Sequence, residues 1–232
     1  SITGGVLTGV LASDLNLVSL VQAANFSQSS VGSGISVIVS DSLSGIAAGN
    51  YVLTQPTGLT ANITPKALTI SGTVVANKVY DGTATAAVSG GSLIGVVAAD
   101  SANVSLAQTG SFTSVNAASG ISVTISDSIS GSASSNYSLV QPTGITGTIT
   151  PAPLGISLTA TYSGTTTVLP SSFSVVGLVN GETITSISSA VVANINLAGN
   201  SSNFVRSIVV GSGTATAGNY TFNDSRNSSA GS

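Results

Sequence analysis

The sequence predicts an all-β protein built from tandem small modules, either Ig-like β-sandwiches or β-grasp-like folds, arranged in an elongated array. One observation is a long internal repeat, in which residues 2–65 align with residues 88–151 without a gap, 86 positions apart. Another is the alternation of apolar and polar residues, which is typical of strands with one buried face. Turn residues also recur at short intervals, and no stretch shows a sustained helical period.

The repeat divides the chain into four parts. Residues 66–150 are the complete repeat, and residues 1–65 are a partial repeat that lacks about two opening strands. Residues 151–223 are a divergent third module without its closing strand. Residues 224–232 are polar and are predicted to be a flexible tail. We therefore expect the chain to be a fragment or a processed product.

The strands of the complete repeat are predicted from side-chain parity. Ile121, Val123 and Ile125 share one face and should be buried, whereas Ser122 lies on the opposite, solvent-exposed face. Turn residues follow at Asp127.

Large rings are scarce in both repeats. Phe112 is the one phenylalanine of the complete repeat, and Phe26 holds the same position in the partial repeat. Both are predicted to anchor a core.

The composition excludes several classes of function. Charged residues are 5% of the chain, and the net charge is −3. The four basic residues, Lys66, Lys78, Arg206 and Arg226, are too few for a nucleic-acid interface. The apolar runs are too short for a spanning helix, so no membrane insertion is expected. With no Cys and few Lys, the composition favours an extracellular or bacterial cell-surface location.

A short tyrosine motif recurs along the chain and is predicted to be structural. In a Tyr-Asp-Gly-Thr turn the acidic residue caps local N–H groups, the glycine accepts a positive φ, and the ring packs beside the turn. The rival hypothesis makes Asp81 a general base, but the chain has no His or Cys to assist it. We therefore predict no enzymatic activity, no catalytic residue, no cofactor and no metal. The predicted motif residues are Tyr80, Asp81, Gly82, Thr83, Tyr162, Gly164, Tyr51, Tyr137 and Tyr220.

Two pairs of aspartates recur at equivalent positions, Asp14 with Asp100 and Asp41 with Asp127. Calcium binding needs about six to eight oxygen ligands, which two distant aspartates per repeat seldom supply. We expect these residues to cap turns.

The motif at Tyr80, with Asn136-Tyr137 downstream, resembles the YDG repeat domain of large bacterial surface exoproteins. The third module, with Tyr162, Gly164 and Tyr220, resembles the related MBG-type module. Such modules occur in tandem in filamentous-haemagglutinin-like adhesins. The resemblance implies a segment of an extracellular adhesin or fibre.

The leading hypothesis is therefore a structural, non-enzymatic segment of an adhesin or filament. Its exposed strand edges favour end-to-end self-association, in which the Ser1 end of one copy meets the Asn223 region of the next. The alternative is a carbohydrate-binding module that recognises a host or cell-surface glycan through loops such as residues 89–94.

Overall fold

The structure is a computed structural model that describes residues 2–161, 163–193, 205–222 and 228–231. Within these residues it is all-β, and its helical elements are short 3₁₀ turns. The 3₁₀ turns are Ala48–Asn50, Ala98–Asp100, Ser134–Asn136 and Ala217–Asn219. The strands are β1 (Ser19–Val21), β2 (Ala24–Phe26), β3 (Gly32–Val39), β4 (Ser42–Ser44), β5 (Thr60–Ile63), β6 (Lys66–Ser71), β7 (Val74–Val75), β8 (Lys78–Val79), β9 (Thr85–Ala86), β10 (Val88–Ser89), β11 (Ser92–Ile94), β12 (Ser105–Ala107), β13 (Gly110–Phe112), β14 (Ala118–Ile125), β15 (Ser128–Ser130), β16 (Tyr137–Leu139), β17 (Thr146–Thr150), β18 (Ala152–Ala160), β19 (Thr167–Val168), β20 (Pro170–Val176), β21 (Ile184–Val192), β22 (Val205–Gly213), β23 (Tyr220–Phe222) and β24 (Ser228–Gly231).

The alternation in β14 is confirmed. Ile121, Val123 and Ile125 are buried, while Ser122 and Thr124 between them are exposed. Side chains alternate across a strand, so this one segment contributes three apolar residues to the core and keeps its polar residues in water.

The chain divides into two compact units, and the first consists of Ser1–Leu68, Gly95–Ser105 and Ser130–Leu139. Its main sheet has three strands in the order β2-β3-β5. Strands β1 and β4 form a separate antiparallel pair. Strand β16 pairs in parallel with β6, and Tyr137 lies opposite Lys66.

The second unit consists of Thr69–Ile94, Leu106–Ile129 and Val140–Ser232. Its largest sheet has five strands in the order β8-β17-β14-β13-β9. The third module contributes two further sheets, with the orders β20-β18-β23 and β19-β21-β22. One cluster of buried side chains, among them Phe112, Ile149 and Ile156, forms the core of this unit.

The units differ from the predicted repeat boundaries. The first unit combines the partial repeat with residues 95–105 and 130–139 of the complete repeat. The second unit combines the remainder of the complete repeat with the third module. Each compact unit therefore contains residues of two successive modules.

The two equivalent phenylalanines differ in burial. Phe112 is 3% exposed, as predicted, but Phe26 is 42% exposed, so the prediction that it anchors a core is wrong. The strand that carries Phe112, β13, has β9 as its second neighbour. Among the described residues, the strand that carries Phe26, β2, pairs with β3 alone.

Two further segments differ from expectation. Residues 89–94 were expected to be a loop, but the residues on either side of Gly90-Gly91 belong to strands β10 and β11. The predicted flexible tail contains strand β24, which pairs in parallel with β18. Residues 224–227 and 232 of that tail lie outside the described residues. In the part of the chain that the structure describes, no helix has the length and apolar character needed to cross a membrane.

Candidate functional site: three tyrosine–carboxylate clusters

The aspartate side chain of the Tyr-Asp-Gly-Thr turn is bound by groups within the turn and just before it. The Asp81 carboxylate accepts hydrogen bonds from the backbone N–H and the hydroxyl of Thr83, both at 2.8 Å, and forms an ion pair of 2.7 Å with Lys78. The hydrogen-bonded Lys78 ammonium lowers the pKa of Asp81 to about 2. Gly82 has a φ of +74°, and a Cβ at this position would lie 2.6 Å from the Cβ of Asn180. The turn therefore needs glycine for both conformation and space.

The tyrosine of this turn is buried and bonded to the third module. Tyr80 is 4% exposed, and its hydroxyl donates to one oxygen of the Glu182 carboxylate. The other oxygen of Glu182 accepts a hydrogen bond of 2.6 Å from Tyr220. The two tyrosine rings meet edge to face, with their centroids 5.5 Å apart, a favourable geometry for aromatic pairs. One carboxylate thus binds two buried hydroxyl groups.

Tyr220 belongs to an arrangement that we call cluster 3, formed with Glu182 and the backbone N–H of Val179. The tyrosine hydroxyl donates to the carboxylate and accepts a hydrogen bond of 3.1 Å from that N–H. Burial, together with the hydrogen bond to Glu182, raises the pKa of Tyr220 to about 12. The phenol is therefore a neutral structural group at physiological pH.

The complete repeat contains the same arrangement, cluster 2, formed by Tyr137, Asp100 and the N–H of Val97. The hydroxyl of Tyr137 donates to Asp100 at 2.7 Å and accepts from Val97 at 3.0 Å. Burial and the hydrogen bond to Asp100 raise the pKa of Tyr137 above its ordinary value, although the bond from Val97 acts in the opposite direction.

The partial repeat contains cluster 1, formed by Tyr51, Asp14 and the N–H of Leu11. Its two hydrogen bonds are 2.8 Å to Asp14 and 3.1 Å from Leu11. The three clusters share one bonding pattern, so it is a property of the module itself.

An asparagine precedes the tyrosine of each cluster, and in clusters 2 and 3 it contacts the preceding repeat. Within the first unit, Asn136 Oδ1 accepts a hydrogen bond of 3.0 Å from the N–H of Val31. Within the second unit, Asn219 Oδ1 accepts one of 2.8 Å from the N–H of Ala117. Val31 and Ala117 are equivalent positions of the two repeats. Asn219 is only 2% exposed, so its hydrogen bonds compensate the cost of burying an amide.

The recurrent aspartates have two different roles. Asp14 and Asp100 accept hydrogen bonds from tyrosines rather than capping turns, so the expectation of turn caps is wrong for this pair. Asp41 and Asp127 do cap backbone groups, since the carboxylate of Asp127 accepts the N–H of Thr109 at 2.9 Å and that of Asp41 accepts the N–H of Ala23 at 2.9 Å.

The structure brings together several of the predicted motif residues. Tyr80 meets Tyr220 in the second unit, while Tyr137 and Tyr51 belong to separate clusters. Gly164 has a φ of +72°, which fits the predicted turn, and Tyr162 lies outside the described residues.

Sequence patterns alone did not single out the partners of the tyrosines. The detectable signal was spacing, because the acidic residue precedes its tyrosine by 37 positions in clusters 1 and 2 and by 38 in cluster 3. Glu182 was hidden by the change from Asp to Glu in the divergent module.

A cavity of about 340 Å³ lies beside cluster 2 in the first unit. Its lining contains both apolar and hydrogen-bonding groups. The lining residues are Ser29, Val31, Ile63, Thr64, Lys66, Val97, Ala99, Asp100, Asn136 and Tyr137. A second cavity, of about 250 Å³, has a mainly apolar lining that includes Phe26 and Val37.

Comparison with known families finds a YDG domain at residues 64–144. This range includes the Tyr-Asp-Gly-Thr turn and both side chains of cluster 2. Searches among curated proteins and among solved structures give no match to the chain.

Proposed function

We propose that the chain is a structural, non-enzymatic segment of an extracellular bacterial adhesin or filament. In this proposal, small β-sandwich or β-grasp-like modules follow one another in an elongated array. The observation that carries it is the repeated joint made by Asn136 and Asn219, each of which binds a backbone N–H of the preceding repeat. An array of spacer modules requires a joint that recurs at successive repeats.

The chemistry of the clusters supports a structural role. The hydroxyl groups of Tyr137 and Tyr220 have raised pKa values, so they are poor proton acceptors or nucleophiles near neutral pH. The Asp81 carboxylate is bound by Lys78 and Thr83 and has a pKa of about 2. A general base that works near neutral pH would need the opposite shift.

The YDG domain at residues 64–144 is in keeping with an extracellular setting. The reason is the resemblance of its motifs to those of surface exoproteins in which such modules occur in tandem. The low content of charged residues and the lack of cysteine agree with export. The same setting supports end-to-end self-association as the way in which copies would build a filament.

Electron microscopy of the secreted protein tests the array directly. We expect extended particles, and compact globules would contradict the proposal. The joint itself is tested by Asn136→Ala, which should lower the unfolding free energy of the first unit by about 1 kcal/mol through the loss of one partly buried hydrogen bond. Asn50→Ala is the matched control, because Asn50 precedes the tyrosine of cluster 1 and is exposed. Equal effects of the two substitutions would argue against the joint.

A glycan-binding module is a second candidate, favoured by the exposed ring of Phe26 beside the apolar cavity of the first unit. Aromatic rings are common stacking surfaces for sugars. Saturable binding on a glycan array that is lost in Phe26→Ala would favour this candidate over a purely structural role. Binding that Phe26→Ala leaves unchanged would remove it.

A further inference from the structure

We propose that the complete repeat contains a buried water-binding site, held by Thr73, Gln108 and Asp127, at the level where four of its chain segments leave the strand conformation. The ligand is a small neutral molecule that both donates and accepts hydrogen bonds, which is water itself. The site lies within the second unit. This inference goes beyond the proposed function, because the site would exist whether or not the chain forms a filament.

The four interruptions lie side by side, and we call them the strand break. Two antiparallel segments are interrupted at Gln108-Thr109 and Ser126-Asp127, between the pair β12–β15 and the pair β13–β14. The next two are interrupted at Gly72-Thr73 and Gly90-Gly91, between the pair β6–β11 and the pair β7–β10. The N–H of Gly91 donates to Oε1 of Gln108 at 3.0 Å, which joins the two interruptions.

The strand break contains buried polar atoms that the protein itself does not bind. Three buried side-chain atoms of the described residues have no hydrogen-bond partner in the protein, namely Oγ1 of Thr73, Nε2 of Gln108 and Oδ2 of Asp127. All three belong to the strand break, and Asp127 is only 6% exposed. Buried polar groups are rarely left unpaired, and ordered water binds those that protein groups do not reach.

Gln108 and Asp127 face each other across the strand break. Gly110 and Ile125 are opposite residues of β13 and β14, and β12 pairs with β15 beyond the break. The same register, continued from Gly110, places Gln108 opposite Asp127. A Cβ at Gly110 would lie 3.3 Å from Cδ1 of Ile125, which belongs to the core. Alternate residues of a strand share a face, so both polar side chains are directed to the interior.

Three hydrogen bonds fix the position of Asp127. Its Oδ1 accepts the N–H of Thr109 at 2.9 Å. The side-chain amide of Gln141 binds its backbone, accepting the N–H at 2.9 Å and donating to the carbonyl oxygen at 2.8 Å. The carboxylate therefore uses one oxygen to bind the backbone at the strand break, and Oδ2 is left for a ligand.

The chemistry of the three atoms selects water over a metal ion. The bond from Gly91 fixes the orientation of the Gln108 amide, so that Nε2 can only donate at the site. The Oδ2 atom of an ionised Asp127 can only accept, and the hydroxyl of Thr73 can do both. A metal ion needs electron-pair donors, and the amide nitrogen of Gln108 is not one. Water accepts from Gln108 and donates to Asp127.

The partial repeat has the same polar framework. Gln22, Asp41 and Gln55 are the residues equivalent to Gln108, Asp127 and Gln141 by the repeat spacing. Gln22 accepts the N–H of Gly5 at 3.3 Å, and the amide of Gln55 binds the backbone of Asp41 at 2.9 and 2.7 Å. The framework that orients the glutamine and the carboxylate is therefore a property of the module.

A high-resolution crystal structure of the whole chain tests the site directly. We expect a water molecule within hydrogen-bond distance, about 2.7–3.2 Å, of both Asp127 Oδ2 and Gln108 Nε2. A direct hydrogen bond between these two side chains would overturn the proposal. So would a metal ion, which oxygen distances of about 2.3–2.6 Å would reveal for calcium.

Nuclear Overhauser effects between water and the side-chain amide of Gln108 test the site in solution. Thr73→Val removes the hydroxyl but keeps the branched shape, and it should abolish the effect, whereas Thr73→Ser should retain it. The matched control is Thr69→Val, at an exposed position of β6, which should leave the effect unchanged. Slow hydrogen exchange of the Gly91 N–H verifies in each variant that Gln108 is still bound. An effect that persists in Thr73→Val, or is lost equally in Thr69→Val, would overturn the proposal.

Discussion

The partial and complete repeats have closely related sequences, but their cores differ. Phe26 is 42% exposed in the first, and Phe112 is 3% exposed in the second. The three strands β2, β3 and β5 correspond to β13, β14 and β17, which lie within a five-stranded sheet whose edges are β8 and β9. The comparison shows that burial depends on whether the neighbouring strands are present as well as on the local sequence.

A charge on the central strand should destabilise the two repeats to different extents. Val123→Asp places a carboxylate in the core of the second unit and should lower its unfolding free energy by about 4 kcal/mol. The equivalent Val37→Asp lies at a half-buried position and should cost about 1–2 kcal/mol. Thermal or chemical unfolding measures both.

Ser122→Asp is the control for this pair, because its side chain lies on the exposed face of the same strand. It should change stability by less than about 0.5 kcal/mol. A cost as large as that of Val123→Asp would show that the face assignment is wrong.

Replacing the equivalent phenylalanines by alanine should also affect the stability of the two repeats differently. Phe112→Ala should cost about 3–5 kcal/mol, since it leaves a cavity in a packed core. Phe26→Ala should cost about 1 kcal/mol, because much of that ring is already in contact with water. Similar losses in denaturant titrations of the two variants would mean that Phe26 is buried in solution.

Loss of the carboxylate should cost more stability in cluster 3 than in cluster 2, because the cluster 3 carboxylate binds two tyrosines and the cluster 2 carboxylate binds one. Glu182→Gln weakens the bonds from both Tyr80 and Tyr220 and should cost about 2–3 kcal/mol. Asp100→Asn weakens one such bond, from Tyr137, and should cost about 1 kcal/mol. Residue-resolved hydrogen exchange separates the effects in the two units. An equal cost would contradict the two-hydroxyl role of Glu182.

The stability of the second unit should also depend on alkaline pH. The pKa of Tyr220 is raised from 10.0 to about 12, so the folded state holds its proton more tightly than the unfolded state. The resulting stabilisation is complete below pH 10 and is lost as the pH rises to about 12. Thermal melts across this window should show a fall that is reduced in Tyr220→Phe, and an identical fall in both proteins would contradict the assignment.

The all-β class and the buried face of β14 were predictable because they rest on local alternation. The repeat itself was visible as an exact spacing between related segments. The pairing of Asp100 with Tyr137 was not predicted, because turn-capping was the simpler local role for an isolated aspartate. The exposure of Phe26 was missed because it depends on which strands lie beside β2 and not on the sequence around Phe26. A contact between residues far apart in the sequence produces no local pattern. It can be indicated only by the number of positions between the two residues.

The bonds of Asn136 and Asn219 to backbone N–H groups bear on how such chains evolve. The donor is a backbone N–H, so the hydrogen bond does not depend on which side chain stands at that position. Val31 and Ala117 both supply it. A module whose exposed side chains have changed by mutation therefore keeps the backbone N–H that binds the next module. Gene duplication or recombination that reorders modules would preserve the joint while the outward-facing residues vary.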